Sequence, residues 1–389
     1  MNQDGWKHCV LGDLVELKRG YDLPHQSRED GPFPIVSSSG ITGFHSEPKV
    51  RGPGVVTGRY GTLGEVFYIE KDFWPLNTSL YVRDFKGNNS RFVAYLLKSL
   101  DLGRSNAAGA VPGVNRNHLH SLEIVAPSIE IQGRIATFLS AYDDLIDNNT
   151  RRIEILEEIA RRLYEEWFVQ FRFPGYEGVK FKESELGPIP EGWEVVALEK
   201  AVEINPKTKV ERDGEKVFVP MGALSETGMV ISGWEIKSGN SGAKFQNGDT
   251  LVARISPCLE NGKTGFVDFL PATQPTACGS TEFIVLRSRS LCPEIVYCLS
   301  RSDRFREVAM KSMSGATGRQ RVRVESIVGY PIAQPEGELV AKYHAFAQPC
   351  FKEIRALANK NANLRQQRDL LLPKLISGEI DVSDIPMPT

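Results

Sequence analysis

The stretch VAKYHAFAQPCFKEIRALANKNANLRQQRDLLLPKL, residues 340–375, decides the architecture. Its seam positions are Val340, Tyr343, Ala347, Cys350, Ile354, Leu357, Asn361, Leu364, Arg368, Leu371 and Leu375, at alternating steps of three and four. A period of 3.5 sustained over five heptads is the pattern of a helix paired along one face. It predicts a helix that runs unbroken until Pro373. A second such pattern lies upstream, at Ile131, Ile135, Phe138, Tyr142, Leu145, Asn149, Ile153, Leu156, Ile159, Leu163 and Trp167, with one irregular patch after Asn149. Each helix would be about 60 Å long at 1.5 Å per residue. Each seam carries one asparagine, and a buried asparagine there sets register and partner at a cost in stability. In an antiparallel pair with the middles together, position i faces a position near 510 − i, so Asn149 meets Asn361 or the layer beside it.

Outside these helices the chain reads twice. Gly5-Trp6 opens one copy, followed by Val10-Leu11-Gly12-Asp13-Leu14-Val15-Glu16-Leu17. Gly192-Trp193 opens the other, 187 residues later, followed by Val196-Ala197-Leu198-Glu199-Lys200-Ala201-Val202-Glu203-Ile204. Each copy ends on an apolar strand with a proline, at Pro127 and at Pro335, an offset of 208. The second copy therefore holds 21 extra residues, and the interiors diverge inside a repeated frame. Expected strands include residues 54–59, 66–69 and 80–82, then 250–255, 265–269 and 282–286, with one main helix per copy at residues 90–102 and 293–313. The fold class is α+β (mixed α/β): two globular β-rich domains and two long helices pairing as an antiparallel coiled coil. Between the copies, Phe171-Arg172-Phe173-Pro174-Gly175 and Leu186-Gly187-Pro188-Ile189-Pro190-Glu191 read as a linker that resists helix and central strand alike.

Composition bounds the function. A chain of 389 residues suits two or three domains, and 41% hydrophobic with 25% charged residues is globular. Net charge is −2, which excludes a histone-like basic chain but not a local basic face. Residues 1–127 carry +1 and residues 193–335 carry +2, whereas residues 128–172 carry −3. That is a weak footprint for a polyanion, so partners would supply much of any phosphate neutralisation. There is no run of about 18 apolar residues to span a membrane. The first residues, Met1-Asn2-Gln3-Asp4-Gly5, are unlike a basic-then-apolar leader. Six cysteines without a C-x-x-C pair read as reduced, partly buried thiols of a cytoplasmic protein, without a zinc site.

Candidate DNA contacts lie in turns where small residues expose backbone N–H groups beside Arg, Lys or Tyr. In the first copy these are Lys18, Arg19 and Tyr21; Ser37, Ser38, Ser39 and Thr42; Arg59 and Tyr60; and Asn115 and Arg116. In the second they are Lys207 and Lys209; Arg254; Lys263 and Thr264; and the run Thr317-Gly318-Arg319-Gln320-Arg321. Arginine can bind guanine through two parallel hydrogen bonds, and Asn or Gln can do so with adenine. A solvated loop is the bland reading of any one of them; their recurrence in both copies is the argument for contact. Catalytic signatures are not visible. The chain has no N-P-P-[FY] and no F-x-G-x-G motif of an adenine methyltransferase, and no G-x-S-x-G elbow. Asn261-Gly262-Lys263-Thr264 resembles the end of a phosphate-binding loop, but Pro257 stands where that loop needs glycine. His118-Leu119-His120, read as a strand, has no third ligand nearby, so no metal site is expected.

The whole chain resembles the DNA specificity subunit of type I restriction–modification systems. The resemblance rests on Glu166-Trp167-Phe168 through Phe173-Pro174-Gly175, then Leu186-Gly187-Pro188-Ile189-Pro190-Glu191-Gly192-Trp193. It extends to Gln132 near the start of the first long helix and to Leu370-Leu371-Leu372-Pro373-Lys374-Leu375-Ile376-Ser377-Gly378-Glu379-Ile380. One departure is Gly337-Glu338-Leu339, where the second helix lacks the glutamine after its opening proline. The resemblance implies target-recognition domain 1 at residues 1–127, a long helix at 128–172, a linker at 173–192, target-recognition domain 2 at 193–335, a second long helix at 336–378 and a tail at 379–389. It implies that each domain reads half of a bipartite site and that the helices act as a ruler. It implies docking of two modification (adenine methyltransferase) subunits and two restriction (motor-nuclease) subunits. Catalysis then lies outside this chain, and S-adenosylmethionine, ATP and Mg serve the partner subunits.

Overall fold

The computed structural model describes residues 5–100, 102, 113–316 and 318–383. The chain divides into two compact units, Met1–Asp147 with Ala362–Thr389, and Asn148–Asn361. The division cuts both long helices, so each unit holds one α/β module and a segment of each helix. The domain limits read from the sequence end each module where its helix begins. Compactness puts each helix segment with the module it packs on.

In the first unit, strand Trp6–Val10 pairs antiparallel with Glu123–Pro127, Trp6 opposite Pro127. The two ends of the module are thus joined. Inside lies a four-stranded antiparallel sheet in the order Glu16–Arg19, Ser79–Asp84, Gly54–Gly58, Val66–Ile69. A three-stranded sheet of Gly40–His45, Phe33–Ser37 and Trp74–Pro75 stands beside it in sequence. Helix Ser90–Ser99 is shorter than the expected 90–102. It starts where the Asn89 side chain accepts the Phe92 N–H at 3.0 Å, a cap worth about 1 kcal/mol. It buries Phe92, Val93, Leu96 and Leu97 in a core shared with Leu17, Val55, Leu80, Ile135, Leu139, Leu375 and Ile376.

The second unit follows the same plan. Strand Glu194–Ala197 pairs antiparallel with Pro331–Gln334. Its four-stranded sheet runs Val202–Ile204, Phe283–Ser288, Thr250–Ala253, Thr264–Phe266, the counterpart of the first unit's order. Its second sheet has four strands, Glu235–Ser238, Glu215–Val219, Thr276–Gly279 and Ala243–Gln246. The single helix expected over 293–313 is two, Pro293–Arg301 and Asp303–Lys311. Ser302 breaks it with extended backbone, and its hydroxyl accepts the Phe305 N–H at 3.4 Å. Serine competes for the backbone in this way and so favours caps over helix interiors.

The long helices are Ile129–Tyr164, continued by a π-turn over Glu165–Val169, and Gly337–Ile376. The second contains both Pro349 and Pro373 without ending at either. Within the second unit the partners descend on one helix as they rise on the other. The Asn149 amide donates to the Asn361 oxygen at 2.9 Å, Arg152 pairs with Glu353 at 3.0 Å, and the Tyr343 hydroxyl donates to the Ala160 carbonyl at 2.9 Å. In the first unit Arg368 pairs with Asp143 at 2.6 Å. The segments are antiparallel in each unit. Of the seam residues read from the sequence, Ile135, Asn149, Ala347, Ile354, Leu357, Asn361 and Leu375 are buried, and Phe138, Tyr142, Leu156, Leu163, Leu364 and Leu371 are half-buried. Leu145 is a correction: it is 46% exposed, and Ile146 is buried in its place. Likewise Ala160 replaces Ile159, and Phe351 replaces Cys350. A helix near 3.6 residues per turn drifts about 20° per heptad from a 3.5 repeat, so a strict heptad list slips by one residue.

Candidate nucleic-acid interface

In the first unit three separate stretches converge on one groove of about 370 Å³. Arg19 comes from the end of strand Glu16–Arg19, Arg59 and Tyr60 from the turn after Gly54–Gly58, and Gly113, Asn115 and Arg116 from a returning segment that enters helix Arg116–His120. The backbone sets this geometry. Arg59 N–H donates to the Thr78 carbonyl at 2.9 Å, and the Arg59 carbonyl accepts the Val114 N–H at 2.9 Å. Gly113 pairs with Tyr60, and a Cβ there would stand 2.5 Å from the ring, so the approach requires glycine. The Arg59 guanidinium lies over the Tyr60 ring at 4.5 Å and donates to its hydroxyl at 3.3 Å. Tyr60 is 41% exposed, so the stacked pair presents a flat, cationic surface. Arg19 holds Asp22 at 3.3 Å, an exposed pair that a phosphate can displace. Asn115 caps helix Arg116–His120, its oxygen accepting the Asn117 N–H at 2.9 Å. That helix carries His118 and His120, which the sequence reading had placed on a strand. His120 Nε2 accepts the Leu17 N–H at 2.9 Å, and burial lowers the pKa of the ring.

Around this groove, Lys18 lies over Tyr21 at 5.4 Å, and the Tyr21 and Tyr81 hydroxyls are 3.0 Å apart. The hydrogen bond with Tyr81 lowers the Tyr21 pKa. In the hairpin over 33–45, Ser37 and Ser38 are buried, which corrects their reading as DNA contacts. The Ser37 hydroxyl bonds Ser39 at 3.0 Å and the Gly40 carbonyl at 3.2 Å, building the turn instead. Ser39 and Thr42 remain exposed, beside Ile41 and Phe44, each 55% exposed.

The second unit has a corresponding groove of about 620 Å³ lined by Lys207, Lys244 and Arg254 among others. Arg254 follows strand Thr250–Ala253 as Arg59 follows Gly54–Gly58. Its N–H donates to the Glu282 carbonyl at 3.0 Å, and its carbonyl accepts the Val322 N–H at 2.9 Å. Ile255 pairs with Arg321, as Tyr60 pairs with Gly113. Equivalent backbone bonds thus place Arg59 and Arg254 alike, with Thr78 in one unit standing where Glu282 stands in the other. Glu282 holds Arg321 through bonds of 2.7 and 3.0 Å and lies 3.7 Å from Arg254. The hydrogen bond from Arg321 holds its carboxyl below the ordinary value of 4.5. Arg321, a candidate DNA contact, is thus paired with Glu282 in this structure. Gln320 accepts the Ser256 N–H at 3.0 Å through its backbone, and Arg319 is exposed. Lys207 is exposed, and Lys209 pairs with Glu211 at 3.6 Å on the open surface. Lys263 is half-buried, and Thr264 is a second correction: it is 2% exposed inside strand Thr264–Phe266. Thr317 lies outside the described residues. The sequence reading missed Lys244, a single basic residue of strand Ala243–Gln246. Its only signal was the preceding Gly242, at φ +100°, where a Cβ would collide with the Gly279 carbonyl.

Among the described residues, Cys292, Glu294 and His344 bring three potential donor atoms within 4.8 Å of one another, and they line neither groove. Among the same residues no helix is long and apolar enough to cross a membrane. Residues 3–158 match the family model described as type I restriction modification DNA specificity domain. The chain is 28% identical over 330 residues to the type I restriction enzyme MjaIX specificity subunit of Methanocaldococcus jannaschii, covering 80% of this chain and 74% of that protein. It is 33% identical over 156 residues to the EcoEI specificity subunit of Escherichia coli, covering 38% of this chain and 26% of that one. The crystal structure of the S subunit of a type I restriction–modification system from M. genitalium superposes with a TM-score of 0.60 over 97% of each chain, at 16% identity, a likeness of fold.

Proposed function

We propose that the chain is a specificity subunit of a type I restriction–modification system and that it reads a bipartite, asymmetric DNA site. Each unit's groove takes one half of that site, with Arg59 and Arg254 as the central contacts. Arg19, Tyr60 and Arg116 support the first, and Lys207 and Lys244 support the second. The paired helices set the number of unread bases between the halves, about one helical turn. The chain itself carries out no catalysis and leaves S-adenosylmethionine, ATP and Mg to its partners. Modification subunits methylate adenine with S-adenosylmethionine, and restriction subunits, where present, move and cut DNA with ATP and Mg. Docking on the helix surfaces outside the seam would bring these partners to the site.

One observation carries the reading. The same backbone bonds place Arg59 and Arg254 at equivalent points of two modules, while Thr78 and Glu282 beside them differ in charge. Equal placement with unequal chemistry is what two different half-sites require. An arginine beside a carboxylate and one stacked on a tyrosine present different donors to a base edge. The test is a methylome of a methylation-free host expressing the chain with its modification subunit. One bipartite motif with a fixed gap is the expected result. Methylation at a single undivided motif would overturn the two-headed reading.

A further inference from the structure

Leu291-Cys292-Pro293-Glu294 turns the chain into helix Pro293–Arg301, with proline at the first helical position and Cys292 just before it. Glu294, in the first turn, is 3% exposed, a rare place for a carboxylate. Facing it is His344, in the second turn of Gly337–Ile376, whose Nδ1 is 2.8 Å from the Glu294 carboxylate. The Cys292 sulfur, the Glu294 oxygen and the His344 nitrogen all lie within 4.8 Å of one another.

We infer that Cys292, Glu294 and His344 form a site for one divalent transition-metal ion of the zinc class. The donor set selects the metal. Zinc takes sulfur, imidazole nitrogen and carboxylate oxygen at roughly 2.0–2.3 Å in a tetrahedron, with three protein ligands leaving a fourth position for water. Magnesium and calcium demand six or more oxygens and do not fit a thiol and an imidazole. His344 is 37% exposed, so ion and water can enter from its side. Cys298 does not join the set: its sulfur lies 3.4 Å from the Tyr343 hydroxyl and is committed there. The bound ion would tie the first turns of the second long helix to the module it packs on, independently of the DNA reading above. Fifty residues separate Glu294 from His344, which is why no spacing motif announces the site.

The test uses the full chain, stripped with chelator and titrated with Co²⁺, then with Zn²⁺. One Co²⁺ per chain with a thiolate-to-cobalt charge-transfer band, displaced by one equivalent of Zn²⁺, is expected. C292S should abolish the band, H344Q should weaken Zn²⁺ binding at least tenfold, and C350S should change neither. Circular dichroism of the metal-free variants checks that they fold. Absence of the charge-transfer band in the wild-type chain overturns the inference without any variant. So does a band that survives in folded C292S, or Zn²⁺ affinity unchanged in folded H344Q.

Discussion

Arg59 and Arg254 occupy matching backbone positions but different surroundings, and each carries its own prediction. R59A should lower affinity by about 1–3 kcal/mol, the range for an arginine bound to a guanine edge, and relax only the half-site read by the first unit. R254A should relax only the other. Methylome mapping of each variant measures both, and uniform weakening at every base would instead assign these side chains to phosphates. Glu282 gives the pH prediction. Its folded pKa lies below the ordinary 4.5, so the Arg321 pairing adds stability above that pH and loses it as pH falls through the lower folded value. The stability difference between the wild type and R321A should therefore be present at pH 7 and shrink below pH 4.5, read by denaturant melts across that range. A difference that grows on acidification would show that the pairing is not what R321A removes. The basic turns were legible at this scale because Gly and Ser beside Arg or Tyr mark exposed backbone. Ser37, Ser38 and Thr264 were not, because the same residue types also build buried turns and strands, and only the packing around them decides which.

The paired helices are where one polar contact governs register. Asn149 and Asn361 are 3% and 2% exposed and bond each other at 2.9 Å, with the Asn361 amide also donating to Thr150 at 3.1 Å. N149L/N361L should raise the melting temperature, because a well-packed apolar pair avoids the desolvation of two amides. Either single change should lower it by leaving one amide short of its partner. A double variant less stable than the wild type would show that the amides contribute net stability. Asp268 and Arg355 form a second contact, between a strand-end loop and the second helix, with Arg355 Nε donating at 2.7 Å. Both are largely buried, and R355M should cost about 3 kcal/mol by stranding the carboxylate, as thermal unfolding would register. The helices were legible because apolar periodicity carries that information locally; the two asparagines fit an antiparallel pair, and the contacts between the helices decided its direction. The exchange of Leu145 for Ile146 was not, since a 3.5 repeat and a 3.6 helix diverge over 36 residues.

For the whole molecule, the proposed division of labour predicts two separable changes. Replacing residues 193–335 with the second domain of another family member should change one half of the methylated motif and leave the other. Adding or removing matched helical turns in both long helices should change the gap and leave the bases alone. Altered bases in the second experiment would sink the ruler. The chain by itself determined what repetition and periodicity encode: two modules of one plan and two long helices. Those features are written in residues close together or at fixed offsets. The tertiary structure alone decided the rest. It gathered Arg19, Arg59 and Arg116 into one groove, set Glu282 against Arg254 and Arg321, and brought His344 to Glu294 across fifty residues. Each of these depends on strand order and on which turns return beside one another. Such pairings join residues far apart in the chain, and no local preference of a side chain specifies them.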